Sequence, residues 1–313
     1  MGNYESVALD QTDQSKNQQP NKFFFEDKYN LVPSFPGFEY RYLDLTNLKR
    51  RFNIEEQLPK YIDLRPSFPP IVDMGPLPFN GVYTVVYLLH YQLLRNNLPV
   101  FPPSAMYLYK NLCYYKQVRS IYSYESLFNA IKENGICSES ELPTRADSLE
   151  VEIQGKIMEK ANAFKFIDIY RVDNSLETIK TLLNNKYPII IGFSVYYDMA
   201  NVESYMWLPD EKIDKKLGGL GGVLVGYIED RKMFIMATTF GNGYGTNGYI
   251  LIPYDYVSNP SLTFELYTLD FIKERVEGYI NQRKEIVNLQ SNRALKVENK
   301  KNYSQDGFSG LFK

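Results

Sequence analysis

The chain has 313 residues and a mass of 36.5 kDa, enough to bury a large core, which excludes a fragment or a disulfide-stapled mini-scaffold. Its 35 Lys and Arg against 37 Asp and Glu leave a formal charge of -2, too near neutral for a protein that binds nucleic acid by neutralising phosphates. A single His and two Cys, beside 27 Tyr, exclude most catalytic and metal constellations, and no cofactor or metal is expected.

Residues 1–22 are polar, rich in Gln, Asn and Asp, and read as a disordered arm. Its opening, Met1-Gly2-Asn3-Tyr4-Glu5-Ser6, has the Gly-to-Ser spacing of an N-myristoylation signal at Gly2. The alternative is a polar start that merely contains Gly and Ser. No charged, apolar and small-residue order of a secretory signal is present, and the longest apolar runs are interrupted or far shorter than the roughly 20 residues that cross a bilayer. Cys113 and Cys137 allow at most one internal disulfide, so the chain reads as intracellular and reduced. Residues 23–58 are aromatic but aperiodic (Phe23, Phe24, Phe25, Phe35, Phe38, Tyr40, Tyr42, with Pro33 and Pro36). They suit an extended segment on a surface, the chain's own or a partner's.

Residues 80–97 form one apolar run. Its Val, Thr and Tyr favour a strand, but its length favours a buried helix, with Asn80 suited to cap the start. Residues 123–134 and 176–185 carry apolar positions at helical spacing, the first stopped by Asn134-Gly135. Strands follow at 188–195, 222–227, 232–236 and 249–252, separated by Gly-rich turns. Helices first and antiparallel strands second make an α+β pattern. From Leu269 the apolar residues Ile272, Val276, Tyr279, Ile280, Ile286 and Val287 recur mostly every three or four positions, which predicts an amphipathic helix. From Lys273 onward nine cations face five carboxylates. That tail suits an acidic protein or an anionic lipid surface, or is a solvated extension.

The residues at 58–65, Leu-Pro-Lys-Tyr-Ile-Asp-Leu-Arg, and the turn Asp73-Met74-Gly75 resemble the start of the mature domain of papain-like cysteine proteases. Further matches come in order: Pro103-Ser104 with Tyr109 and Asn111, Gly135-Ile136-Cys137-Ser138-Glu139 before Pro143, and Pro188 to Tyr196. Leu208-Pro209-Asp210, Leu217-Gly218-Gly219-Leu220, Val223 to Tyr227 and Gly241, Gly245 and Gly248-Tyr249 before Ile252-Pro253-Tyr254 complete the set. The resemblance covers about residues 59–258. It implies an α+β fold of two lobes, a helical one and an antiparallel barrel-like sheet, with a cleft between them. The expected organisation is the arm 1–22, the aromatic segment 23–58, a papain-like domain 59–268, and a helix with basic tail 269–313.

In that family a Cys at the start of the buried helix is held as thiolate by an imidazolium across the cleft, an amide orients the imidazole, and a Gln completes the oxyanion hole. By motif, those four positions hold Asn80, Leu220, Thr238 and Met74. None can supply the family's chemistry, so the resemblance read through its residues implies a protein that is not an enzyme. The only His, His90, lies ten residues along the helix from Asn80, about 15 Å away. Cys113 and Cys137 fall outside the nucleophile position and read as packing residues. The glycines at 218–222 lack the Lys and Ser/Thr of a phosphate loop, and the acid pairs Asp210-Glu211 and Glu229-Asp230 read as solvated turns. Leu220, Met74 and Phe79 would make the cleft a dry groove for an extended peptide.

The compact, disulfide-poor form is similar to papain-like proteins of large DNA viruses. With a lipid on Gly2, an aromatic arm and a basic tail, the expectation is a minor capsid or membrane-proximal virion protein whose partners are capsid proteins. A single myristoyl chain binds membrane only with a constant on the order of 10⁴ M⁻¹, so a second contact would be required. The competing readings are a cysteine peptidase with unorthodox residues and a decoy regulator of an active relative.

Overall fold

The protein is described from a computed structural model, which covers residues 29–34, 41–51, 58–116, 122–210 and 212–306. Gly2, the arm 1–22 and the aromatics Phe23, Phe24, Phe25, Phe35, Phe38 and Tyr40 lie outside the described residues, as does Glu211. The elements run β1 (Arg41–Leu43), α1 (Leu45–Arg51), β2 (Tyr61–Asp63), α2 (Asn80–Arg95), α3 (Ala105–Lys116) and α4 (Tyr124–Asn134). They continue through α5 (Gly155–Ala161), β3 (Ile167–Val172), α6 (Leu176–Asn184), β4 (Ile189–Val195), β5 (Gly218–Ile228) and β6 (Met233–Ala237). The last are β7 (Tyr249–Pro253), α7 (Tyr254–Ser258), β8 (Thr263–Phe271) and α8 (Lys273–Asp306).

Among the described residues the strands form one sheet in the order β1-β3-β8-β4-β5-β6-β7, with β2 also paired to β5. Every pairing is antiparallel except β1 with β3. The fold is α+β: α2, α3 and α4 pack together as a helical lobe, and α2 lies against β4, β5 and β8 of the sheet. Helix α2 is buried around nearly its whole circumference, which is why its sequence is apolar without a polar stripe.

The sequence locates α2, α4, α6 and the strands β4 to β7 within a few residues. At α4 the Ser123 hydroxyl caps the helix by accepting from the Ser126 amide, and Gly135 ends it at φ +72°. Four expectations are corrected. Phe79, not Asn80, is the residue before the first turn of α2, and the Asn80 side chain makes no cap. The run at 218–222 is not a turn but the first half of β5. The segment 23–58 is not extended throughout, because it contains α1. Residues 269–271 belong to β8 rather than to a helix, so a boundary at 268 cuts a strand, and α8 begins at Lys273. Glu265 to Leu269 are all buried, so β8 is covered on both faces and carries no period of two, while the helical spacing of the following residues draws the boundary forward.

Candidate functional site

The two lobes meet where the N-terminus of α2 faces β5. Asn80 stands there with 1% of its surface exposed. Its carboxamide is used completely across the boundary: Nδ2 donates to the Gly221 carbonyl at 3.1 Å and to Thr239 Oγ1 at 2.9 Å, while Oδ1 accepts from the Gly221 amide at 2.5 Å. Thr239 in turn donates to the sulfur of Met74 at 3.5 Å, and the Met74 amide donates to the Thr239 carbonyl at 3.0 Å. Tyr124 closes the far side, its hydroxyl donating to the Ile191 carbonyl at 3.1 Å and lying 3.0 Å from Thr84 Oγ1. A Cβ on Gly221 would stand 2.1 Å from the Tyr124 hydroxyl, so only glycine lets α2, α4 and β5 approach this closely.

Of the four positions drawn from the family pattern, the structure brings Asn80 and Met74 together through Thr239. Leu220 sits beside them on β5, buried and opposite Phe193 in β4. Thr238 turns elsewhere, its hydroxyl donating to the Gly248 carbonyl at 2.9 Å. The residues that complete the arrangement, Thr239 and Gly221, are each one place along from the positions read from the motif. On β5 that single step changes the face, and Thr239 stands in the bend just after β6; neither is a signal that a motif count carries.

A segment of the chain itself occupies the space between the lobes. Leu31 donates its amide to Gly219 of β5 at 3.2 Å, and the Gly219 amide donates to the Tyr29 carbonyl at 3.4 Å. On its other side Val32 donates to the Tyr122 carbonyl at 3.0 Å, and Tyr122 donates to the Asn30 carbonyl at 3.3 Å. This strap of residues 29–34 is thus bridged in parallel to both lobes at once. Its side chains anchor it: Asn30 Nδ2 donates to the Pro78 carbonyl, and Leu31 is buried. The Tyr29 hydroxyl donates to Asp198 Oδ1 and accepts from the Met199 amide, both at 3.1 Å, and burial raises its pKa. A Cβ on Gly219 would lie 2.1 Å from the Leu31 carbonyl oxygen. The paired glycines before Leu220 therefore have a structural reason, the close approach of the strap.

The strap answers one open question and corrects another expectation. Residues 29–34 lie on the chain's own surface. The dry groove expected from Leu220, Met74 and Phe79 is not open at two of those side chains: Phe79 lies tilted against Tyr109 at 4.4 Å inside the helical lobe, and Leu220 is covered. What remains is a small apolar cavity of about 250 Å³ beside Tyr29, between Met74 and Tyr244.

The other candidate residues are scattered. His90 is half-buried on α2, and burial lowers its pKa. Cys137 is buried and free, its thiol pushed up to about 12 first by burial and then by Glu141. Cys113 belongs to α3, and its side chain lies outside the described residues. Glu229 is not a solvated turn residue: it bonds Lys180 at 3.0 Å, Lys232 and the Tyr254 hydroxyl. Among the described residues no group of three or more His, Cys, Asp or Glu is placed to hold a metal, and no helix is long and apolar enough to cross a membrane.

This geometry has known counterparts. The chain is similar to xylellain, a cysteine protease from Xylella fastidiosa, with a TM-score of 0.71 and 21% identity over 78% of this chain and 96% of that one. A digestive procathepsin L of the Tenebrio molitor larval midgut gives a TM-score of 0.56 at 15% identity, covering 69% of this chain and 71% of that one. A procathepsin B from Trypanosoma congolense gives 0.57 at 17%, over 80% and 88%. By sequence, an uncharacterized peptidase C1-like protein of Acanthamoeba polyphaga mimivirus is 23% identical over 221 residues, 66% of this chain and 71% of that protein. No family model matches. The fold is papain-like.

These likenesses overturn the expectation that the chain is not an enzyme. The solved structures that share its fold are cysteine proteases or their proforms, and its viral relative is named a peptidase.

Proposed function

We propose that this papain-like chain acts as an interaction protein, a minor capsid or membrane-proximal component of a large DNA virus. The observation that supports the reading is the joint between the lobes. The Asn80 carboxamide ties α2 to β5 and Thr239, and the strap 29–34 occupies the gap. The joint holds the two lobes in place, and surface outside it is available to other proteins. Residues 205–210 and 212–217 offer one: Trp207 stacks on Tyr197 at 4.0 Å, Leu208 is exposed, and Ile213 is 79% exposed with its amide donating to the Asp210 carbonyl. The mimivirus relative supports a viral setting. An acyl group on Gly2 would bring the assembly to a membrane. Proteomics of purified particles tests the placement: the protein at structural copy number supports it, and absence from the particle removes it.

The second reading is a cysteine peptidase, favoured by the fold shared with xylellain and by the name of the viral relative. Labelling of the full chain with a thiol-directed epoxide, with the modified peptide identified by mass, tests it. Rapid labelling of Cys113 or Cys137 supports a peptidase, and labelling only after denaturation argues against these thiols as its nucleophile.

A further inference from the structure

Helix α8 leaves the body after Val276 and touches it again through Tyr279 and Ile280. Between α8 and the helical lobe runs a groove of about 880 Å³, within the size range of small-molecule sites. Its hydrocarbon walls come from Phe101, Ile136, Ala163, Phe164, Ile280 and Val287. Phe101 and Phe164 meet edge to face at 4.8 Å, a rigid aromatic wall.

Several polar groups around this groove are already committed. The Ile136 amide donates to the Ala161 carbonyl at 3.3 Å, the Cys137 carbonyl accepts from Ser104 at 2.9 Å, and the Ser138 amide donates to Glu141 at 3.3 Å. The α8 wall is helix, its amides bonded within itself. An extended peptide laid here would find these main-chain groups taken, whereas a hydrocarbon needs none. The rim charges are paired as well: Lys160 with Glu141 at 2.5 Å, and Arg283 with Glu159 at 3.5 Å and the Tyr279 hydroxyl. Among the described residues no ion pair holds Lys284, which lines the same groove.

An apolar trough with one uncommitted cation at its edge complements a molecule with a hydrocarbon tail and a single carboxylate. We infer that this groove binds a free long-chain fatty acid, its tail between Phe101, Phe164 and α8 and its carboxylate at Lys284. The site is remote in sequence from Asn80 and the strap and does not depend on the role proposed for them.

Calorimetric titration of the full chain with octanoate, decanoate, dodecanoate and tetradecanoate, each below its aggregation threshold, tests the assignment. Affinity rises about fourfold per added methylene until the groove is full. Lys284→Ala weakens each acid about threefold, the scale of an exposed ion pair, and leaves dodecanol binding unchanged. Val287→Glu, on an exposed position, abolishes binding while the melting temperature stays that of the parent. Absence of saturable binding, affinity independent of chain length, or full binding by Val287→Glu overturns the inference. A dimer in sedimentation that Val287→Glu dissociates and dodecanoate does not would assign the groove to a second copy of the chain and also overturn it.

Discussion

Asn80 and Thr239 meet at 2.9 Å across the boundary between the helical lobe and the sheet, the side-chain amide of one donating to the hydroxyl of the other. The amide also holds both polar groups of the Gly221 peptide unit. One side chain therefore satisfies backbone on one edge of β5: β4 pairs along the other edge at this point, and the pairing with β6 reaches only as far as Val223.

Asn80→Ala leaves the Gly221 amide and carbonyl buried without a partner. The expected cost is roughly 2 to 4 kcal/mol, a fall in Tm of roughly 5–10 °C. Asn80→Asp, nearly identical in shape, is expected to cost at least as much, since it sets a buried carboxylate against the Gly221 carbonyl. Differential scanning calorimetry of the two variants checks this. Equal stability of both with the parent would remove the amide's role in the seam.

Gly219→Val places carbon 2.1 Å from the Leu31 carbonyl oxygen and so expels the strap. Hydrogen exchange is expected to be slow at the Leu31 and Val32 amides in the parent and fast in the variant, with β4 and β6 protected in both. Leu31→Ala, which removes a buried anchor of the strap, is expected to cost roughly 2 to 4 kcal/mol.

Glu229 carries a pH signature. Hydrogen bonds from Lys232 and Lys180 lower its carboxyl to about 2, from an ordinary 4.5. A depressed carboxylate contributes stability that is complete above its unfolded value and is lost as pH falls from near 4.5 through about 2. Glu229→Gln is expected to flatten that part of the stability curve, measured by urea denaturation from pH 6 downward. A slope unchanged in the variant would assign the acid sensitivity to other groups.

The Cys137 thiol, buried and raised to about 12, is expected to resist iodoacetamide at neutral pH in the folded protein and to react once the chain is unfolded in guanidinium. Mass mapping of the peptide that carries it gives the answer directly. Fast alkylation in the folded state would mean that the groove floor opens.

Much of this fold is legible in the sequence, because its signals are local. Asn134-Gly135 stops α4, Ser123 and Ser175 cap α4 and α6, and the run of apolar residues in β4 marks a strand buried on both faces. The seam is less legible. Asn80 looks like a helix cap by type and place, yet its partners Gly221 and Thr239 are set by sheet register, which motif spacing does not encode. The strap is hidden for a different reason. Tyr29, Asn30 and Leu31 have no periodicity of their own, and their order comes from pairing to Gly219 and Tyr122, far away along the chain. Catalytic roles are the least legible part, because spacing alone places four residues without the register that decides which side chains meet.

The strap also bears on how the protein is made. Tyr29 to Val32 emerge early from the ribosome, but the β5 edge that receives them is translated about 190 residues later. At roughly 5 to 20 residues per second, that leaves the strap without its partner for roughly 10 to 40 s. A segment synthesised well before its β5 partner can therefore take its bridged place only after that strand has been made.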